Sequence, residues 1–206
     1  MKIEVDKISK REKMEIEIGT LKYEYIQNAI NNNMYDEDFK KVYTEFYLSA
    51  GPTFKNKNNN SIYFNKLKEV AKSYKVDHKL EISPLLSYFK NKITPRNYYL
   101  SVISKLMHTI DTKVPIYDSK VYNYLKNFEN VKFLKIYNKN VTDQNKLDRI
   151  LENWNKLNSW YEEFLTNEGK LWVDWFDKNF PNHKNISNVR KIDLIIFCCS
   201  DNLHII

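Results

Sequence analysis

Glycine supplies only 3 of the 206 residues and proline only 5, and this scarcity limits what the chain can fold into. Sandwiches, barrels and Rossmann units turn tightly and often, and their turns draw on residues that accept positive φ. Helices need no such residues along their length, so the composition favours an all-α fold. A chain of 206 residues can bury one substantial core but is short for two independent ones. The expectation is a single helical domain over residues 21–206, preceded by an N-terminal arm or short strand over residues 1–20.

Hydrophobic periodicity points the same way. In the first twenty residues "KIEV" and "MEIEI" alternate with period two, as a short strand or an arm does. From Leu21 the period becomes helical, with Tyr25, Ile26, Ala29 and Ile30 recurring until "NNN" interrupts. "DEDFKKVYTEFYL" opens with three acids, which suit the positive end of a helix, and carries Phe39, Val42, Tyr43, Phe46 and Tyr47 along one face. "SAGPTFKNKNNN" reads as a surface loop, and "SIYFNKLKEVAKSYK" resumes the helical period. Ser83-Pro84 and Thr94-Pro95 each place a capping residue before a proline, so helices are expected to begin at Pro84 and Pro95. "VYNYLKNFENVKFLKIY" is expected to be helical, with a break near Glu129-Asn130. "VTDQNKLDRILENWNKLNSWYEEFL" is the clearest helix, capped by Thr142 and striped from Leu147 through Trp154 to Leu165. Gly169 is expected to end it, a short helix follows, Pro181 stops that one, and Ser187 caps the last, "NVRKIDLIIFCC". Eight or nine helices result.

The net charge of +7 would draw anions such as nucleic acid to the surface. Lys far outnumbers Arg, the better phosphate fork, and the Asn, Lys, Ile and Tyr bias is that of an A/T-rich genome, bacterial or phage. Cys198 and Cys199 are neighbours with no other cysteine to pair with, so no disulfide framework is expected. Without a signal-like apolar core or a run of about 18 apolar residues, a cytoplasmic protein with no membrane partner is expected.

One stretch stands out, "SKLMHTIDTKVPIYDSKV" at residues 104–121. On the helix ahead of it Tyr99, Val102, Ile103, Leu106, Met107 and Ile110 share one face, while Ser101, Ser104, Lys105 and His108 share the opposite one. Asp118 sits where an N-cap belongs, ahead of Val121, Tyr122 and Leu125. An amine on one helix and a capping carboxylate on the next, joined through Pro-Ile-Tyr, form a candidate site.

This stretch resembles the Lys and Asp region of the helix–hairpin–helix DNA glycosylases of the 8-oxoguanine type. It is also similar to an SKLxH…PIYDSxV pattern of uncharacterised bacterial proteins. The glycosylase resemblance implies that Asp118 supports departure of a base and that Lys105 attacks the sugar as an amine nucleophile. His108, one turn along the same face, is the nearby residue able to lower the lysine's pKa. Ser104, Tyr117, Ser119 and Lys120 are the accompanying binding candidates. The segment before Lys105, "NYYLSVI", has none of the glycine that lets a hairpin approach phosphate closely.

Other chemistry finds less support. His78, His108, His183 and His204 lack the spacing of a zinc site, and neither a Walker loop nor a G-x-S-x-G elbow occurs, so no metal or cofactor is expected. Glu162, Glu163, Glu168, Asp174 and Asp177 beside Trp172 and Trp175 read as solvated acids next to core aromatics. Tyr98, Tyr117 and Trp160 lie off the apolar stripes and are left as aromatic contacts for a base. Two functions follow. One is a DNA-associated protein with a glycosylase-like fold that excises or recognises a modified base, DNA being favoured over RNA. The other is a non-enzymatic helical protein that binds a protein partner, for example in phage defence or its evasion. Oligomeric state is left open.

Overall fold

The computed structural model describes residues 3–48, 52–94, 97–126, 128, 131–136 and 142–200. Among these the chain is all-α, with nine α-helices linked by 3-10 turns and irregular segments and no strand. It groups into two compact units. Met1–Ile18 and Lys113–Ile206 form one, the split unit, and Gly19–Thr112 form the other, the inserted unit.

Helix α1 runs Lys10–Asn31, through the "MEIEI" segment whose alternation suggested a strand or arm. A reciprocal cap overrides the alternation. The Ser9 backbone N–H and hydroxyl donate to Glu12 Oε2 at 2.7 and 2.6 Å, and the Glu12 N–H donates to Ser9 Oγ at 3.2 Å. A strand would have turned Met14, Ile16 and Ile18 to one face; the helix buries Ile16 and leaves Met14 and Ile18 in solvent.

In the inserted unit, α2 spans Glu37–Tyr43, capped by Asp36, and runs into a π-helical turn at Thr44–Leu48. Helix α3, Lys57–Asp77, starts at an Asn56 cap and stops at His78, which takes the left-handed conformation at φ 54°. Helix α4 spans Ile82–Lys92, so Ser83 is not its cap. Pro84 is its third residue, where the backbone N–H would have had no intrahelical acceptor, and the ring costs nothing there. Helix α5 begins at Leu100 and not at Pro95, which lies outside the described residues. The reason is local: Tyr99 has φ 51°, which cannot continue a right-handed helix. Helix α5, Leu100–Ile110, is the centre of this unit, and α3, α4 and the π turn pack on it.

In the split unit, α6 spans Ser119–Leu125, α7 Asp143–Thr166, α8 Gly169–Asn179 and α9 Asn188–Cys199. Thr142 and Ser187 cap α7 and α9 through their hydroxyls, as expected. Helix α9 is buried continuously from Val189 to Ile196, with α6, α7 and α8 against it. The helix expected after residue 121 is shorter than its pattern suggested. It ends at Leu125, and residues 131–136 belong to no helix. Asn153 of α7 holds that segment as a strand neighbour would, accepting from the Leu134 N–H at 2.7 Å and donating to the Leu134 carbonyl at 2.9 Å. The expected break at Glu129-Asn130 lies outside the described residues. Gly169 does not end α7 but opens α8; a Cβ there would stand 2.6 Å from the Phe164 carbonyl oxygen.

Candidate functional site

The 104–121 stretch divides between the two units, whose boundary falls at Thr112/Lys113. Ser104, Lys105 and His108 belong to α5. The face expected to be polar and open is packed: Ser104 and His108 are fully buried, and Lys105 is half-buried. Helix α5 has neighbours on both sides, so its short polar residues bond inward. Ser104 Oγ donates to the Ser101 carbonyl at 3.0 Å, and Thr109 Oγ1 donates to the Lys105 carbonyl at 2.7 Å. The Tyr43 hydroxyl lies 3.0 Å from Thr109 Oγ1 and 2.7 Å from the Tyr63 hydroxyl. Burial raises the pKa of both tyrosines well above the usual phenol value, so they serve as neutral hydrogen-bonding groups. The His108 ring lies 5.6 Å from that of Tyr23. Lys105 Nζ donates to the Tyr47 carbonyl at 3.0 Å, at the end of the π turn, where a cation meets the negative end of a helix.

Tyr117, Asp118, Ser119 and Lys120 belong to the split unit. Asp118 caps α6, its Oδ1 accepting from the Val121 N–H at 2.9 Å. Ser119 is exposed at the first turn. Lys120 Nζ donates to the Phe197 carbonyl at 2.9 Å and lies 4.3 Å from that ring's centroid. Tyr117 is half-buried, edge-on to Phe133 at 5.7 Å. Of the other aromatics proposed for a base, Tyr98 and Trp160 are buried, Trp160 stacked on Phe164 at 4.5 Å. Trp172 and Trp175 are core residues, as expected, with Glu162, Glu163 and Asp174 exposed.

Around Asp118 lies a buried charged group that sequence spacing did not indicate. Asp193 of α9 accepts a short hydrogen bond from the Tyr161 hydroxyl. Burial pushes the Asp193 carboxyl up to about 7; Arg190 and the Tyr161 hydroxyl pull against this, and Asp118 adds to it. The Tyr161 phenol is held well above its ordinary range by burial and by Asp193. Next along α9, Lys191 Nζ pairs with Asp177 Oδ1 at 2.7 Å. Perturbed carboxyls often mark active sites, but none of Asp118, Tyr161, Arg190 or Asp193 lines either of two clefts that the split unit presents.

The larger of these clefts, about 700 Å³, lies between the first turns of α1 and the end of α8 with the 3-10 turn Pro181–His183. Lys10, Arg11, Lys13 and His183 line it against the single acid Glu17. Lys13 Nζ donates to Asn179 Oδ1 at 2.9 Å and lies 5.6 Å from the Trp175 ring centroid. A second cleft of about 440 Å³ shares Lys13 and Asn179 and adds Trp175, Lys178 and Asp174. The sequence signal for the larger cleft was the "KREK" run of residues 10–13, which lay in the supposed arm. Among the described residues no three His, Cys, Asp or Glu side chains gather as a metal ion would need, and no helix is long and apolar enough to cross a membrane. Compared with protein-family models, curated proteins and solved structures, the chain matches none.

Proposed function

We propose that this protein binds nucleic acid, DNA before RNA, through the cationic cleft of its split unit, and does so without covalent chemistry. The observation that carries this reading is the meeting of Lys10, Arg11, Lys13 and His183 in one cleft whose lining includes one acid, Glu17, with Arg11 also paired to Glu15 at 3.1 Å. Three cations in the first turn of α1 can neutralise neighbouring phosphates, and each neutralised phosphate releases condensed counterions. Asn179 Oδ1 and the ring of the buried Trp175 hold the Lys13 ammonium in place at this cleft. Excision of a base is the weaker reading. A lyase needs a neutral amine open to a sugar carbon, and Lys105 Nζ is engaged with the Tyr47 carbonyl.

The test is fluorescence anisotropy with labelled duplex and single-stranded DNA across a salt series. A Lys13→Glu/His183→Glu variant, shown to fold by circular dichroism, is expected to weaken binding about tenfold and to flatten the salt dependence by about one unit for each phosphate that is no longer neutralised. Binding unchanged in that variant would remove the cleft from the interface. No binding at low salt would overturn the nucleic-acid reading and favour the protein-binding alternative.

A further inference from the structure

Several helix lysines of this chain sit beside an acid one turn away: Lys40 pairs with Glu37 at 2.6 Å, Lys146 with Asp143 at 3.7 Å and Lys156 with Glu152 at 2.7 Å. Helix α3 of the inserted unit departs from that pattern. At 100° per residue Lys57, Ser61, Asn65, Lys68, Lys72 and Lys75 fall within an arc of about 80° beside its buried face, and all six are exposed. The stripe is about 27 Å long, holds no carboxylate, and its lysines form no ion pair. Glu69, just beyond its edge, bonds to Lys66 Nζ at 2.6 Å on the far side. Lys75 Nζ donates to Asn33 Oδ1 at 3.0 Å and Lys68 Nζ lies 5.7 Å from the Tyr35 ring centroid, contacts that leave both charges uncompensated. Of the acids that open α2, Asp36 is engaged in its cap and Glu37 with Lys40, leaving Asp38 unpaired. Helix stability does not account for the row. Lys68 and Lys72 are four residues apart and Lys72 and Lys75 three, spacings at which like charges repel. Lys57 adds a cation at the positive end of the helix, whose first turn holds no acid.

We propose that this ridge of the inserted unit is a further nucleic-acid surface, which contacts the phosphate backbone of duplex DNA without reading its sequence. The inference rests on the nucleic-acid reading above and gives that partner a contact outside the cationic cleft. Lys68, Lys72 and Lys75 stand about 6 Å and about 4.5 Å apart along the helix, so each ammonium can meet a phosphate, and the polyanion removes the repulsion within the row. Ser61 and Asn65 add neutral donors for phosphate oxygens. All the cations are lysines, point charges without the planar fork by which arginine reads guanine edges, and such contacts position a duplex without specifying bases. Duplex is favoured over a single strand because no aromatic ring stands on the stripe to stack an unpaired base.

The test is the salt dependence of DNA binding by the full chain, read by anisotropy with labelled duplex and single-stranded DNA. Lys68→Gln/Lys72→Gln/Lys75→Gln keeps helix propensity and alters no buried residue, so it is expected to fold as the wild type does by circular dichroism. On duplex it is expected to bind at least about tenfold more weakly at about 0.1 M salt. Its plot of log affinity against log salt should be flatter by about two to three units, roughly 0.9 for each phosphate no longer neutralised. Lys40→Gln/Lys146→Gln/Lys156→Gln removes the same net charge from acid-paired positions and is expected to leave the slope within about one unit of the wild type. A wild-type slope in the ridge variant, or equal flattening in the acid-paired control, would overturn the ridge and leave the cleft standing. Flattening seen with single-stranded DNA and not with duplex would overturn the duplex assignment. Flattening in the ridge variant but not in Lys13→Glu/His183→Glu would keep the ridge and remove the cleft. A wild-type chain that binds no DNA at low salt would overturn the nucleic-acid reading and the ridge together.

Discussion

Asp193 should make stability depend on pH in a direction unusual for a carboxylate. Its folded pKa of about 7 lies above the ordinary aspartate value of 3.8, so between these limits the folded state holds a proton that the unfolded chain has released. Its contribution to stability is therefore present in full below the unfolded pKa and is lost as pH rises through about 7. One such group changes stability by at most about 1.4 kcal/mol per pH unit. Thermal unfolding from pH 5 to pH 8 is expected to show a falling Tm in the wild type and a flatter profile in Asp193→Asn. Asp118 can be dissected in the same way. Asp118→Ala should cost about 1 kcal/mol by removing the cap of α6. Asp118→Asn keeps a good cap but removes the charge that raises Asp193, so it should preserve stability near pH 5 and move the Asp193 transition to lower pH. Asp118 was legible as a cap because its bond to Val121 is local. Its electrostatic neighbour was not, because Asp193 lies tens of residues further along the chain and no periodicity connects the two.

At the scale of elements, caps and breaks were legible where a few adjacent residues decide them. Thr142, Ser187 and Asp118 each bond an N–H three residues ahead. The Ser9/Glu12 box is equally local, and the reading of "MEIEI" as a strand or arm overlooked it. Tyr99 was not legible, since a left-handed tyrosine is held by surrounding packing and not by its own preference. Gly169 gives a prediction that opposes propensity. Gly→Ala within an exposed helix usually gains about 1 kcal/mol. Here the added methyl would press on the rigid Phe164 backbone, so Gly169→Ala should destabilise by roughly 1–3 kcal/mol in chemical denaturation. A stabilised variant would mean that the α7–α8 junction can open without cost.

For the whole molecule, nucleic-acid binding should depend strongly on salt. Phosphate contacts at Lys10 and Lys13 weaken steeply as ionic strength rises. Raising salt is thus expected to release DNA in anisotropy measurements. Borohydride added to the protein with abasic, oxidised or uracil-containing DNA is expected to trap no adduct; a shifted band abolished by Lys105→Ala would return the lyase reading to first place. The sequence by itself determined that the chain is helical and where most helices lie, because scarce glycine and 3.6-residue periodicity act within a few turns. Only the tertiary structure decided that α5 and α9 are packed on more than one face, and that Ser104 and His108 are therefore core residues. Burial is set by what packs against the second face of a helix, and those partners lie tens of residues away along the chain.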